Sequence, residues 1–476
     1  MVWTALQKYS IIFIQFVSGI ILARLLTPYD YGCIGMLTIF MMLAQTFIDS
    51  GFGSALIQKK KPTQVDYSSI FWWNIGMAVI MYAILYVSAP AIARFYDIPL
   101  LSKVLRVQGL VLFIYAFNII QQNQLRKNLN FKLLSIVSIT TSIVALSVTI
   151  WMAYSGFGVW ALVAQNLLTA AIPAFVFWFT VKWRPMFVFS IQSFKELFGF
   201  GFYMFLTQLI TEFSKQIQGL MIGKMYSPST LGYYSKAKNT EKLTSTSISQ
   251  VMMQVTYPLY AEVQDDKVVL ANMIKRITIT LAYISIPFIF ILVLCAKSVF
   301  ILLYSDRWLQ SIPYFQVLCI AGLAECFHSV NTQAIAAIGK SRIMFRWTVI
   351  KRSIGLVFIV SGIVFWGMRG LLGGVLLHSW CSYFVNIGLV SRYIGYKWKM
   401  QIKDILPIVF ASMVAFTLSY VMSNSFSFSL YLDGVVKAVI FLTVFLGWSV
   451  LLKPNAFIYF KEMGKILLQK ISLKSK

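Results

Sequence analysis

Acidic residues are scarce in this chain: fifteen Asp and Glu stand against forty-one Lys and Arg in 476 residues, with only two histidines. Such a set offers no converging acid/base cluster, because Asp306, His328 and His378 lie far apart in sequence. The five cysteines (Cys33, Cys295, Cys319, Cys326, Cys381) lack CxxC spacing and a nearby histidine pair, which excludes a zinc site and marks them as packing residues. No cofactor and no metal is expected. Long polar stretches are missing too. Only 12% of residues are charged while 59% are apolar, which is more apolar surface than one soluble core could hide and leaves no room for a sizeable soluble domain. The N-terminal segment has no basic leader and no small-residue cleavage site, so it is expected to stay as a helix.

What the chain has instead is apolar runs along its whole length. A spanning helix needs about 20 mostly apolar residues, and about fourteen segments qualify. They are 5–26, 32–57, 69–91, 104–122, 133–153, 158–181, 197–223, 237–260, 275–296, 312–338, 347–366, 370–391, 405–423 and 433–452. The expected class is an all-α polytopic membrane protein. With the N-terminus inside, alternate connections hold about 28 Lys and Arg against about 11 on the other side, as cytoplasmic loops should. Clustering of the basic residues between apolar segments, ending in a basic tail from Lys453 to Lys476, explains the net charge of +26 as topology and excludes nucleic acid as a partner. Both termini are expected in the cytoplasm.

The chain also repeats itself. GIILARLLTPYDYG at 19–32 aligns without gaps on GLMIGKMYSPSTLG at 219–232, with both glycines and the proline identical and Arg24/Lys224 and Thr27/Ser227 as conservative pairs. A second echo sets RKNLNFK at 126–132 beside KSRIMFR at 340–346. Helices one to six and seven to twelve read as two copies in the same orientation, a parallel repeat that leaves a cleft between lobes. The expected division is 1–182 for the N-lobe, 183–400 for the C-lobe, and 401–476 for two further helices and the tail.

ARLLTPYDYG (23–32) and DSGFGSALIQ (49–58) resemble the polysaccharide-transporter (Wzx-type) flippases of the multidrug/oligosaccharidyl-lipid/polysaccharide (MOP) superfamily. RKNLNF (126–131), GFGVWALV (156–163), FGFG (198–201) and IGKMYSPSTLGYY (222–234) follow in the family's order. Two departures stand out: the family usually starts with a longer basic leader, and an acidic or amide pair often precedes IGK where this chain has Gln218 and Gly219. The resemblance implies two six-helix lobes, two extra C-terminal helices and alternating access to a central cavity. It implies as cargo an undecaprenyl-diphosphate-linked oligosaccharide, with membrane lipids and the polysaccharide polymerase and assembly machinery as further partners.

A charge inside a span costs about 2.5 to 3.5 kcal/mol on insertion scales, so such residues seek a cavity or a partner. Helix seven carries Gln208, Thr211, Glu212 and Lys215 on one face. They could meet cargo, or Glu212 and Lys215 could simply neutralise each other. Helix eight sets Lys238, Lys242, Ser245 and Ser249 on a stripe; alternatively the helix starts later and Lys236 and Lys238 are solvated at the outer interface. In the first lobe, Lys8 with Gln15 and Gln45 with Asp49 share faces, while Arg24 closes the outer end or bonds helix-end carbonyls as Lys224 would. Glu325 and His328 lie three apart on helix ten and His378 lies on helix twelve, where lone histidines more often bridge helices than shuttle protons. Lys351 and Arg352 could receive a phosphate or serve as topology charges.

A diphosphate needs cationic or amide donors and a glycan needs neutral ones, and this inventory has both. Three rival classes remain open, one of them a non-transporting scaffold in which helix packing fills the polar face of helix eight. A cation-coupled multidrug exporter of the same superfamily would carry a carboxylate inside helix one, which has none. A membrane enzyme of polysaccharide assembly would need a large outer loop or a convergent acid/base set.

Overall fold

The computed structural model describes residues 2–425, 429–452, 454, 456–459 and 461. The expected basic tail therefore lies largely outside the described residues. Among these residues the chain is helical, without strands. In order, the helices are α1 (Val2–Leu25), α2 (Pro28–Asp49), α3 (Phe52–Gln58), α4 (Gln64–Phe95), α5 (Leu100–Gln108), α6 (Val111–Lys127), α7 (Phe131–Tyr154) and α8 (Val159–Thr180). They continue with α9 (Ile191–Met225), α10 (Pro228–Glu262), α11 (Lys267–Leu294), α12 (Ala296–Tyr304), α13 (Ser311–Ala337), α14 (Ser341–Tyr393), α15 (Trp398–Asn424) and α16 (Leu430–Leu452).

Ten helical segments among the described residues are long and apolar enough to cross a membrane, so the chain is a multi-pass membrane protein. The segments 197–223, 237–260 and 312–338 are helical as expected, within α9, α10 and α13, but these helices are not among the ten. They are the ones that carry most of the polar candidates. Phe13, Val87, Phe179, Phe365 and Leu451 are largely exposed on their helices, as side chains facing acyl chains would be.

Three expected spans are interrupted. The span 32–57 breaks at Ser50 and Gly51, both with positive φ (46° and 73°). Glycine is required at 51, since a Cβ there would come within 2.2 Å of the Gly201 carbonyl oxygen. The Asp49 carboxylate bridges the break by accepting the Gly53 N–H at 3.2 Å. The span 104–122 begins earlier, at Leu100, and divides between α5 and α6 at Gly109. The span 275–296 ends at Leu294, with α12 following at once.

The spans 347–366 and 370–391 are two helical arms of α14, joined at Gly367, whose backbone is non-helical (φ 63°, ψ −145°) and turns the chain back on itself. The two arms are antiparallel and close enough that glycine is obligatory along the seam. A Cβ on Gly362 would sit 2.2 Å from the Gly370 oxygen, and one on Gly374 would sit 2.4 Å from the Phe358 oxygen.

The chain packs as two compact units, Met1–Ser235 and Lys236–Lys476, and the boundary falls inside α10. In the first, α7 packs against α1 and α8, and α9 packs along α2, α3 and α4. That last contact draws residues 191–235 into the first unit. Its aromatic core gathers Phe52, Leu56, Ile70, Phe71, Ile120 and Leu197. The α3–α4 turn is tied down by Lys59, whose ammonium lies 2.8 Å from Glu196 and 3.0 Å from Asp66. The hydrogen bond that Lys59 donates to Glu196, reinforced by Asp66, raises the Lys59 pKa. Lys127 donates to the carbonyls of Leu56, Ile57 and Lys59, so one topology lysine also closes the C-terminal end of α3. In the second unit, α13 packs against α14 and α11, while α11 and α16 pack against α15.

Candidate functional site

The repeated segments meet each other. Both begin a helix at a proline, α2 at Pro28 and α10 at Pro228, where the missing N–H costs nothing. A Cβ on Gly32 would lie 1.8 Å from the Pro228 oxygen, and a Cβ on Gly232 would lie 1.9 Å from the Pro28 oxygen. The contact is reciprocal. One turn further, Gly35 faces Leu231 and Ser235. Thr27 forms a capping box with Asp30, its N–H donating to the carboxylate at 2.9 Å and its hydroxyl oxygen accepting the Asp30 N–H at 3.3 Å. In the second junction Ser227 accepts the Thr230 N–H at 3.2 Å, and the two hydroxyls lie 3.0 Å apart. Lys224 donates to the Phe95 carbonyl at 2.6 Å and sits over that ring. Arg24, its counterpart, is exposed.

On α9 the ammonium of Lys215 lies 2.8 Å from the Glu212 carboxylate; the lysine side chain is 47% exposed and the glutamate 14%. Gln208 is exposed and Thr211 returns its hydroxyl to the Thr207 carbonyl. Nearer the junction, Tyr234 donates to the buried Gln218 amide oxygen at 2.6 Å, so the residue that departs from the family pattern is part of the packing. On α1, Lys8 is half-buried and Gln15 exposed, while it is Gln7 that reaches Ser138 on α7. Gln45 is half-buried, and Asp49 is engaged at the α2–α3 break.

The part of α10 that belongs to the second unit divides the stripe that spacing joins. Ser245 and Ser249 are buried, and Cys326 of α13 donates its thiol to the Ser245 carbonyl, while Lys242 stays exposed. Lys236 is buried, its ammonium 3.9 Å from the centre of the Tyr304 ring and 5.5 Å from that of Trp308, rather than solvated. Sequence reasoning missed Glu241, a buried carboxylate whose Oε1 fills the space where a Cβ on Gly322 would come within 1.9 Å. The four-residue spacing of Glu241, Ser245 and Ser249 was the available signal.

The α14 hairpin and α13 together enclose a polar chain. Lys351, buried on the first arm, donates to Asn386 Oδ1 on the second arm at 2.8 Å. Asn386 Nδ2 lies 2.8 Å from His328 Nδ1 and donates to Thr332 Oγ1 at 2.8 Å, both on α13. His378 covers Gly355, where a Cβ would approach its Nδ1 to 2.1 Å. Glu325 is exposed one turn from His328, and Arg352 is half-buried beside Lys351. Asn386 escaped sequence reasoning because an amide among apolar residues carries no motif; the antiparallel fold of α14 is what brings it to Lys351. Among the described residues no group of three or more His, Cys, Asp or Glu could hold a metal.

Residues 21–313 match the polysaccharide biosynthesis protein family. Among curated relatives, the chain is 27% identical over 347 residues to the teichuronic acid biosynthesis protein TuaB of Bacillus subtilis, covering 72% of each. It is 21% identical over 429 residues to the lipopolysaccharide biosynthesis protein WzxC of Escherichia coli, covering 88% of this chain and 86% of that one. In fold it is similar to the lipid II flippase MurJ in an inward closed conformation, with a TM-score of 0.75 at 14% identity over 95% of this chain and 99% of that one. It is also similar to an inward-facing MATE multidrug transporter of the MOP superfamily, with a TM-score of 0.60 at 16% identity over 83% and 95%. At such identities the structural likenesses speak for fold alone, while the matched span covers more than half of the sequence. The chain belongs to the polysaccharide biosynthesis protein family.

Proposed function

We propose that this protein flips an undecaprenyl-diphosphate-linked oligosaccharide, an O-antigen, capsule or exopolysaccharide repeat unit, from the cytoplasmic to the periplasmic leaflet of a bacterial inner membrane by alternating access. The observation that carries the reading is the α9 face. Lys215 keeps an exposed ammonium next to Glu212 on a helix whose neighbours are strongly apolar. A helix packed only against lipid would not keep such a face. A diphosphate can share or displace Glu212 as the partner of Lys215, and exposed Gln208 offers a neutral donor and acceptor to sugar hydroxyls. Relatives named for teichuronic acid, lipopolysaccharide and succinoglycan biosynthesis support a glycan cargo.

In this reading the chain crosses the membrane fourteen times. Lobes 1–182 and 183–400 are followed by 401–476, and both termini are cytoplasmic. The loop charges and the reciprocal junction of α2 with α10 support it. Outward movement of each negative charge from a negative interior gains about 2.3 kcal/mol per 100 mV, so membrane potential assists a diphosphate. The protein acts as a transporter rather than an enzyme, and it hands cargo to the polymerase and assembly machinery.

Reconstitution in liposomes with lipid-linked glycans, scored by access from the opposite leaflet, tests the reading. Lys215→Ala at normal abundance should lower transfer at least about tenfold, the loss of one charge-assisted contact. Unchanged transfer would remove Lys215 from the mechanism. The fold shared with a MATE transporter favours a second reading, a multidrug exporter, which efflux of cationic dyes without glycan transfer would establish.

A further inference from the structure

The polar chain of the second unit has a property that none of its members has alone. Asn386 presents one acceptor and one donor group, and both are committed: Oδ1 to the Lys351 ammonium, Nδ2 to His328 Nδ1 and Thr332 Oγ1. An ammonium only donates, so the amide oxygen must face Lys351 and the NH2 must face the imidazole. His328 Nδ1 is then an acceptor, and the ring is neutral.

The reverse arrangement needs one further change. If a proton arrives at His328 Nδ1, that N–H needs the amide oxygen, the amide turns over, its NH2 faces Lys351, and the Thr332 hydroxyl must leave the His328 carbonyl to donate to the amide oxygen. Lysine can accept that bond only as the neutral amine. With both groups protonated, one N–H would point at another inside an apolar helix bundle, whichever way the amide stood.

We propose that His328, Asn386 and Lys351 form a proton-exchange site in the second unit, in which the Asn386 amide allows the pair one positive charge at a time. The ligand is a proton. It binds at the His328 Nδ1 lone pair as another leaves Lys351 Nζ, so charge and atoms balance through water with no other reactant. The charged and titratable groups around the pair are Arg352 and His378 on α14 and Glu325 on α13. Because Asn386 and Lys351 lie on opposite arms of α14 and His328 lies on α13, moving the proton reorders the bonds that join three helical segments. Use of that proton to drive transport rests on the flippase reading; the site itself does not.

The test uses the full-length chain in lipid nanodiscs with ¹⁵N-labelled histidine. There are only two histidines, so His378→Gln leaves His328 as the single signal. Lys351→Met should raise the His328 protonation midpoint by more than about one pH unit. Lys351→Arg retains a cation and controls for folding, and it should keep His328 neutral over the same range. In an Asn386→Leu background the Lys351→Met shift should fall to less than half, and an undiminished shift would assign the coupling to charge alone and overturn the role of the amide. An unmoved His328 midpoint in Lys351→Met overturns the site. A chain that shows the shift but moves no lipid-linked glycan loses the transport reading and keeps the site.

Discussion

The helix junctions at Pro28 and Pro228 share a backbone solution and differ in their charges. In each, a proline opens a helix and a glycine four residues later receives the other junction's proline carbonyl, at 1.8 and 1.9 Å from where a Cβ would stand. Around that frame the polar groups differ. Asp30 completes a capping box with Thr27, whereas Thr230 offers Ser227 a hydroxyl. Arg24 is answered by Lys224. The difference separates what close packing demands from what capping merely favours: an extra methyl has nowhere to go, while several side chains can satisfy a helix end.

The largest effect should come from the frame. Gly32→Ala and Gly232→Ala each push a methyl into a backbone oxygen, and each should cost more than about 2 kcal/mol, seen as a lowered thermal unfolding midpoint in one detergent. Since both act on the same junction, the double variant should cost less than the sum. Gly76→Ala, where a Cβ meets nothing within 4 Å, is the control and should be neutral or slightly stabilising. An unaltered midpoint in Gly32→Ala alone would break the equivalence of the two junctions.

The caps come next. Thr27→Ala removes the hydroxyl that accepts the Asp30 N–H and donates to its carboxylate, leaving only the backbone half of the capping box, and should cost about 1 to 1.5 kcal/mol, against about 0.5 to 1 for Ser227→Ala. Equal losses would mean that the Asp30 carboxylate adds nothing. The smallest effect belongs to Lys224→Met, which deletes the bond to the Phe95 carbonyl and the contact with its ring at an exposed site, for about 0.5 kcal/mol. Lys224→Arg should recover most of it in the same assay.

Much of this was legible in the sequence. Apolar runs located the helices because burial in lipid or protein leaves the same mark, and the Gly/Pro identities marked the two junctions that meet. What periodicity could not supply was neighbours. It put Lys242, Ser245 and Ser249 on one stripe, yet α13 buries the two serines and leaves the lysine exposed. It grouped Gln45 with Asp49, but Asp49 is held by a break in α2 that depends on the close approach of Gly201, some 150 residues away. Lys236 read as an interfacial lysine because the rings that cover it come from α12 and the turn after it. Lys351 and His328 were visible as unusual residues for a membrane helix, but the amide that joins them was not, since α14 had first to fold back at Gly367.

The reciprocity of Gly32 and Gly232 also has an evolutionary consequence. Each glycine is confined by a carbonyl in the other segment, so selection on residue 32 is also selection on the backbone at 228, and the converse holds for 232 and 28. Two stretches tied in this way cannot drift apart one residue at a time at these positions. They can diverge freely only where they do not touch.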